Sequence, residues 1–153
     1  MDYTQLLVLH SYYRWIVLLA LTLFFLWLYV QHRRKTVFTK PHFYALIGFC
    51  ILMNIQFLLG LLLYLCSPLV EHFWQDFGAG VKNRQLRFFG MEHVTMMSIA
   101  VVFINYYTLK VKHKIGQATA FTYLWKRFRW LLLIILSSVP WSWSPLTSRP
   151  NWR

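Results

Sequence analysis

The chain has 153 residues, of which 58% are hydrophobic, 20% are aromatic and only 13% are charged, and its formal net charge is +12. Because charged residues make up about 25% of an ordinary soluble domain, this composition excludes that class and predicts an integral membrane protein. The positive charge does not require nucleic acid, since lysine and arginine at a membrane surface meet anionic lipid. The expected partner is the lipid bilayer, with no nucleic acid.

Four segments are long enough, or nearly so, to cross a hydrocarbon core of ~30 Å at about 1.5 Å per residue. They run over about 10–30, 42–66, 88–109 and 121–141. The fourth is the weakest, because Lys126, Arg127 and Arg129 must snorkel toward the interface. The sequence therefore predicts an all-α fold in which residues 1–153 form a single four-helix transmembrane bundle.

The charges predict the orientation of these helices. Ten of the 16 basic residues lie in the link after the first segment, in the link after the third, or at the start of the fourth. The acidic residues fall on the opposite side: Asp2, Glu71, Asp76 and Glu92. The positive-inside rule then places both termini outside, in a multi-pass membrane protein.

Polar side chains on two of the segments lie at similar predicted depth. Arg14 precedes Arg33 by 19 residues and His93 precedes Lys110 by 17, which is about 28 and 26 Å of helix. His10 lies one turn beyond Arg14, on the same helical face. Since a charge inside the bilayer is costly unless it is paired, we expect Arg14 to pair with Glu92. His10 then lies near the level of His93.

Two imidazoles at one depth on different helices are what a b-type haem requires, because they fill both axial positions of iron in a bundle core. We therefore predict His10 and His93 as metal ligands in a haem b site. Arg14 is suited to a propionate, and Glu92 balances Arg14.

Smaller residues around His93 complete this prediction. Gly90 and Ala100, at −3 and +7 from His93, lie on its face and allow a flat ring to approach the backbone. Met97, at +4, is expected to pack on the ring or, as a weaker alternative, to bind the iron itself.

Four blocks carry a family resemblance: LHSYYRW (9–15), NIQFLLGLLLYLCSP (54–68), KNRQLRFFGMEHVTMM (82–97) and VPWSW (139–143). In this order they resemble a bacterial family of short four-helix integral membrane proteins loosely labelled "cytochrome b". The resemblance implies a haem protein of electron transport in the bacterial cytoplasmic (inner) membrane. It places His10, Arg14, Glu92 and His93 on the family's recurrent polar positions. The family often has a histidine where this chain has Asn54, so haem binding here would depend on His10 and His93.

Three functions stay open. The first is a haem subunit that passes electrons near the outer face, and the second is a haem-free quinone or proton site built on Arg14, Glu92 and His93. The third is an accessory or structural subunit of a larger respiratory complex, in which the polar residues only clamp helices together. The sequence shows no soluble catalytic domain, which favours a subunit over a stand-alone enzyme and predicts other membrane-protein subunits as partners.

Overall fold

The computed structural model describes residues 2–142, and these contain helices, turns and connections but no strand. The elements are α1 (Tyr3–Arg33), α2 (Lys40–Leu65), α3 (Pro68–Gln75), α4 (Phe77–Gly80), α5 (Arg84–Arg87), a π-helical segment (Phe88–Glu92), α6 (His93–Val111), a 3-10 turn (Lys112–Lys114) and α7 (Thr119–Ser138). Three stretches are long and apolar enough to cross a membrane: Tyr3–Arg33, Lys40–Leu65 and Arg84–Lys114. The all-α prediction is confirmed, and these stretches indicate a membrane protein.

Local sequence explains where the first and last helices differ from their predicted bounds. α1 begins seven residues before His10, because the Asp2 carboxylate accepts a hydrogen bond from the Gln5 backbone N–H at 2.8 Å and the Gln5 side chain accepts one from the Asp2 N–H at 3.2 Å. α7 ends at Ser138 and not at 141. Val139 precedes Pro140 and has an extended backbone (ψ 133°), as residues before proline prefer.

The four long helices share one core. α1 packs against α2 and α7, and α6 packs against the same two helices. Buried core residues come from all four: Leu21, Leu28, Phe49, Ile104, Leu124 and Phe128. We call the end that carries Asp2 and residues 66–92 the acidic end, and the end that carries the connections 34–39 and 112–118 the basic end.

Residues 67–87, which connect the second and third predicted segments, form three short helices at the acidic end. Their anchor is Phe73, which is completely buried. The Tyr64 hydroxyl donates to the Gly90 carbonyl at 2.8 Å and accepts from Trp74 Nε1 at 2.9 Å. These contacts connect the short helices to α2 and to the π-helical segment that precedes α6.

Two asparagines join α2 to α6. Asn54 Nδ2 donates to Asn105 Oδ1 at 3.2 Å, and Asn105 Nδ2 donates to Asn54 Oδ1 at 3.1 Å. The second N–H of each amide donates within its own helix, to the Cys50 carbonyl at 2.7 Å and to the Val101 carbonyl at 2.8 Å. Asn54 is therefore committed to helix packing.

Exchanging Asn54 for alanine should leave the Asn105 amide without its cross-helix partner and lower the free energy of unfolding by about 0.5–2 kcal/mol. Asn105→Ala should act alike, and the double variant should lose less than the two single losses added together, because the partner is already gone. Unfolding of the detergent-solubilised variants by denaturant measures all three. Ser98→Ala is the control, since Ser98 Oγ donates within α6, to the Val94 carbonyl. Strictly additive losses for the asparagines would contradict the pairing.

Candidate functional site

A cavity of about 160 Å³ lies between α1, α2, α6 and α7 in the half nearer the acidic end. Its lining comes from residues 3–18, 53–70, 89–101 and 135–140. On α1 its lining runs from Tyr3 to Leu18, which is about 22 Å of helix. The lining therefore extends along the helices.

Four of the predicted site residues line this one cavity: His10, Arg14, His93 and Met97. The two histidines come from α1 and from the first residue of α6, so two different helices present them to the same space. Among the residues of 2–142 that line the cavity none is an aspartate or a glutamate.

The tautomer of His93 follows from one hydrogen bond. His93 Nδ1 is 2.7 Å from the Ser138 carbonyl oxygen of α7. A carbonyl can only accept, so Nδ1 carries the hydrogen and, in the neutral ring, Nε2 carries the lone pair. Histidines that bind metal through one nitrogen usually donate from the other to a carbonyl or carboxylate, which holds the ring and raises its basicity. His93 has the same arrangement, with Nδ1 bonded to a carbonyl and Nε2 as the other ring nitrogen.

His10 is held by two residues of α2. Gln56 Nε2 donates to the His10 carbonyl at 3.2 Å. Gly60 makes room for the ring, since a Cβ on Gly60 would lie only 2.9 Å from His10 Cε1. His10 Nδ1 and Gln56 Oε1 are buried and have no hydrogen-bond partner within residues 2–142. Buried polar atoms of this kind normally bind something, so both point to a ligand or to water in the cavity.

The predicted pair between Arg14 and Glu92 is wrong. Glu92 does not line the cavity; its Oε1 accepts from Arg87 Nε at 2.7 Å, and both side chains are about one-third (35%) exposed. Arg14 keeps its place in the cavity wall, with its Cζ 5.2 Å from the centre of the Trp15 ring. The quinone or proton site built on Arg14, Glu92 and His93 thus loses its carboxylate.

The π-helical segment explains this change of partner. Arg87 and Glu92 are five residues apart, a spacing that places two side chains on different faces of an α-helix. The wider i→i+5 bonding of residues 88–92 brings them together immediately before His93. Single π-helical turns occur frequently at functional sites. In the sequence, the signal of this pair was the five-residue spacing between the opposite charges of Arg87 and Glu92.

Replacing either Arg87 or Glu92 with glutamine should lower stability by about 0.2–1 kcal/mol, because the pair is partly exposed. In a double-mutant cycle the two changes should couple, since each removes the same interaction. A second cycle with Arg14→Gln and Glu92→Gln should give additive effects. Coupling in the second cycle but not in the first would show that Glu92 pairs with Arg14, as the sequence predicted, and not with Arg87.

Gly90 does not have the predicted role either. A Cβ at Gly90 would collide with the Phe73 ring, so the missing side chain makes space for Phe73 and not for a ligand. Ala100 does line the cavity. The residues that sequence reasoning did not assign to the site are Gly60, beside His10, and Ser138, whose carbonyl orients His93. Gly60 was detectable as an isolated glycine inside an apolar helix, which often marks a close approach.

The donors available for a metal are few. Across residues 2–142 no three His, Cys, Asp or Glu side chains come together as a possible metal site. An ion bound by His10 and His93 would therefore need other ligands, and the four pyrrole nitrogens of a porphyrin are such a set. The donor set of the described lining, two histidines and no carboxylate, is the one that a haem held by two histidines would need.

Comparison of the chain with protein-family models, with curated proteins and with solved structures gave no match.

Proposed function

We propose that the protein is a b-type haem-binding membrane subunit that takes part in electron transfer near the outer face of the bacterial cytoplasmic membrane. The observation that carries this proposal is that His10 and His93, on different helices, line one cavity. The hydrogen bond from His93 to the Ser138 carbonyl adds support, because it leaves Nε2 of the neutral ring as the free nitrogen. The resemblance to the "cytochrome b" family agrees with this function.

The chain's own residues then have distinct roles. His10 and His93 would hold the iron, and Arg14 would bind a propionate through charge-assisted hydrogen bonds. Met97 packs in the cavity wall. A haem supplies one-electron transfer between its ferric and ferrous states. Glu92 does not line the cavity and pairs with Arg87, the last residue of α5.

The surroundings of the site control its access to water. Most of the lining is apolar, with Leu, Val, Phe and Met side chains from three of the long helices. Ser67, Leu69 and Val70, at the start of the short helices, also line the cavity. A poorly hydrated site of this kind weakens the screening of Arg14, so the attraction of the guanidinium for a carboxylate is stronger than it would be in water.

We also propose that α7 is a fourth membrane crossing and that the basic end lies in the cytoplasm. α7 packs against α1 and α6, and its uncharged part runs from Trp130 to Ser138. Lys126 and Arg129 are exposed, so each can snorkel toward the basic end. The excess of lysine and arginine at that end favours the cytoplasmic side, with both termini outside.

Single-cysteine labelling in intact cells tests this orientation. Cys66 is exposed at the acidic end and Cys50 is buried, so the background variant is Cys66→Ser. In that background Lys82→Cys should react with a membrane-impermeant maleimide, whereas Lys112→Cys should react only after the cells are opened; both lysines are exposed. Reaction of Lys112→Cys in intact cells would contradict the proposed topology.

The absorption spectrum tests the haem directly. Protein expressed with ample haem and purified in mild detergent should show a Soret band and, once reduced, the sharp split bands of a six-coordinate b-type centre. The pyridine-extracted cofactor should be non-covalent haem b, with about one haem per chain because one pair of ligands is present. Well-folded protein without Soret absorption would overturn the proposal.

One observation favours a haem-free quinone site as the second candidate. His10 Nδ1 and Gln56 Oε1 are buried atoms that can accept hydrogen bonds, and they have no partner in the described part of the chain. The two hydroxyls of a quinol are donors that could satisfy them. Organic extraction of the purified protein distinguishes the two candidates, since the quinone site requires stoichiometric quinone in a sample without haem.

A further inference from the structure

A second polar cluster lies at the basic end, where α7 packs against α6. Arg127 Cζ lies 3.8 Å from the centre of the Tyr123 ring and 5.8 Å from that of Tyr107. Lys114 Nζ lies 5.7 Å from the same Tyr123 ring. We call these four residues the basic cluster. Two cations thus share one aromatic ring, which holds them close together although their charges repel each other.

No acidic side chain of the protein compensates the basic cluster. All four acids, Asp2, Glu71, Asp76 and Glu92, belong to the acidic end. The hydrogen bond that Arg127 makes within residues 2–142 runs from Nη1 to the Tyr123 carbonyl at 3.3 Å. Since a guanidinium has five N–H donors, most of its capacity is left for a ligand.

The depth of Arg127 indicates where such a ligand comes from. His32, in the last turn of α1, is 3.1 Å from Thr122 Oγ1, so Thr122 marks the level at which α1 ends. Arg127 follows Thr122 by five residues, about 8 Å farther along α7. Its side chain turns back over Tyr123, toward the basic end, as expected of a cation that snorkels from the membrane interior. The guanidinium is therefore at the level where lipid headgroups meet the hydrocarbon.

We propose that the basic cluster binds the phosphate of an anionic phospholipid. Arg127 contributes the planar fork that matches a phosphate, and Lys114 contributes a second positive charge. The stacking on Tyr123 holds the guanidinium in place before the lipid arrives, so less side-chain entropy is lost on binding. The hydroxyls of Tyr107 and Tyr123 are additional donors. Basic sites of this kind between membrane helices on the cytoplasmic side bind anionic headgroups in other proteins.

Native mass spectrometry of the detergent-purified protein tests the site with phosphatidylglycerol against phosphatidylcholine. The wild type should retain phosphatidylglycerol preferentially. Arg127→Gln and Lys114→Gln should each weaken that preference about fivefold, the effect of removing one surface charge. Arg127→Lys keeps the charge but loses the fork, so it should fall between the wild type and Arg127→Gln.

The matched control removes two positive charges elsewhere at the same end. Arg33 and Arg34 are exposed, and Arg33→Gln with Arg34→Gln should leave the preference for phosphatidylglycerol intact. An equal loss in this control would show general attraction to the basic end and overturn a specific site. Displacement of the lipid by excess inorganic phosphate would also overturn it, because the site would then take free anions. Should Arg127→Gln fail to fold, Lys114→Gln, located in the 3-10 turn, decides the question alone.

Discussion

Replacing His93 with alanine should abolish the six-coordinate haem spectrum, and replacing His10 should do the same or leave a five-coordinate form. Each change removes one of the two imidazoles that line the cavity, and the iron cannot keep two axial nitrogens without both. Purified variants are compared by reduced-minus-oxidised spectra at equal protein concentration. Because His93 also bonds the Ser138 carbonyl, circular dichroism must show that each variant is still helical.

Two controls separate iron binding from a structural role. His72→Ala and His113→Ala change exposed residues at the acidic and the basic end, and both spectra should equal that of the wild type. Added imidazole should restore six-coordination in folded His93→Ala, since the space left by the side chain admits a free ligand. A histidine variant that stays folded and keeps the wild-type spectrum would remove that residue from the proposed ligand pair.

Gly60→Ala gives a finer test of the same site. A Cβ there would press on His10 Cε1, so the ring must move by several tenths of an ångström. A haem bound through His10 should respond with a shifted spectrum or weaker retention, although no ligand has been removed. If Gly60→Ala binds haem as the wild type does, His10 does not determine the geometry of the haem site.

Sequence reasoning placed His10 and His93 at one depth because the rise per residue of a helix is nearly constant, and a count from the basic residues then becomes a distance. The structure brings both residues to one cavity. The same count placed Glu92 beside Arg14, and there it failed. The π-helical turn of residues 88–92 rotates Glu92 toward Arg87, and no periodicity within the apolar segment reveals such a turn.

The role of Gly90 was beyond sequence reasoning for a different reason. Helical spacing predicts the position of Gly90 relative to His93, because the two residues are close in sequence. It does not predict the contact between Gly90 and Phe73, because that contact forms only when residues 67–87 fold back onto the acidic end. A side chain seventeen residues away fills the space that a flat ligand would have needed. The composition and the apolar runs predicted the class of protein, whereas contacts made by the short helices required the structure.

Gly90→Ala should therefore destabilise the protein without changing the haem site. The new methyl group would lie 2.9 Å from Phe73 Cβ and closer still to its ring, which is completely buried and cannot easily move. Overpacking of this kind costs about 1–3 kcal/mol in the free energy of unfolding. Gly48→Ala is the matched control: nothing lies within 4 Å of its Cβ position, and in the interior of α2 alanine should be neutral or stabilising by up to about 1 kcal/mol.

Phe73→Ala completes the test of this contact. Alone it should cost about 3–5 kcal/mol, as the loss of a fully buried phenylalanine does, and in its presence Gly90→Ala should add little because the methyl group enters the vacated space. This double variant should bind haem as Phe73→Ala alone does, since neither Gly90 nor Phe73 lines the cavity. Unfolding in denaturant and the Soret absorbance of the same samples measure both effects. Loss of haem on adding Gly90→Ala, with stability unchanged, would instead return Gly90 to the face on which the ring was predicted to lie.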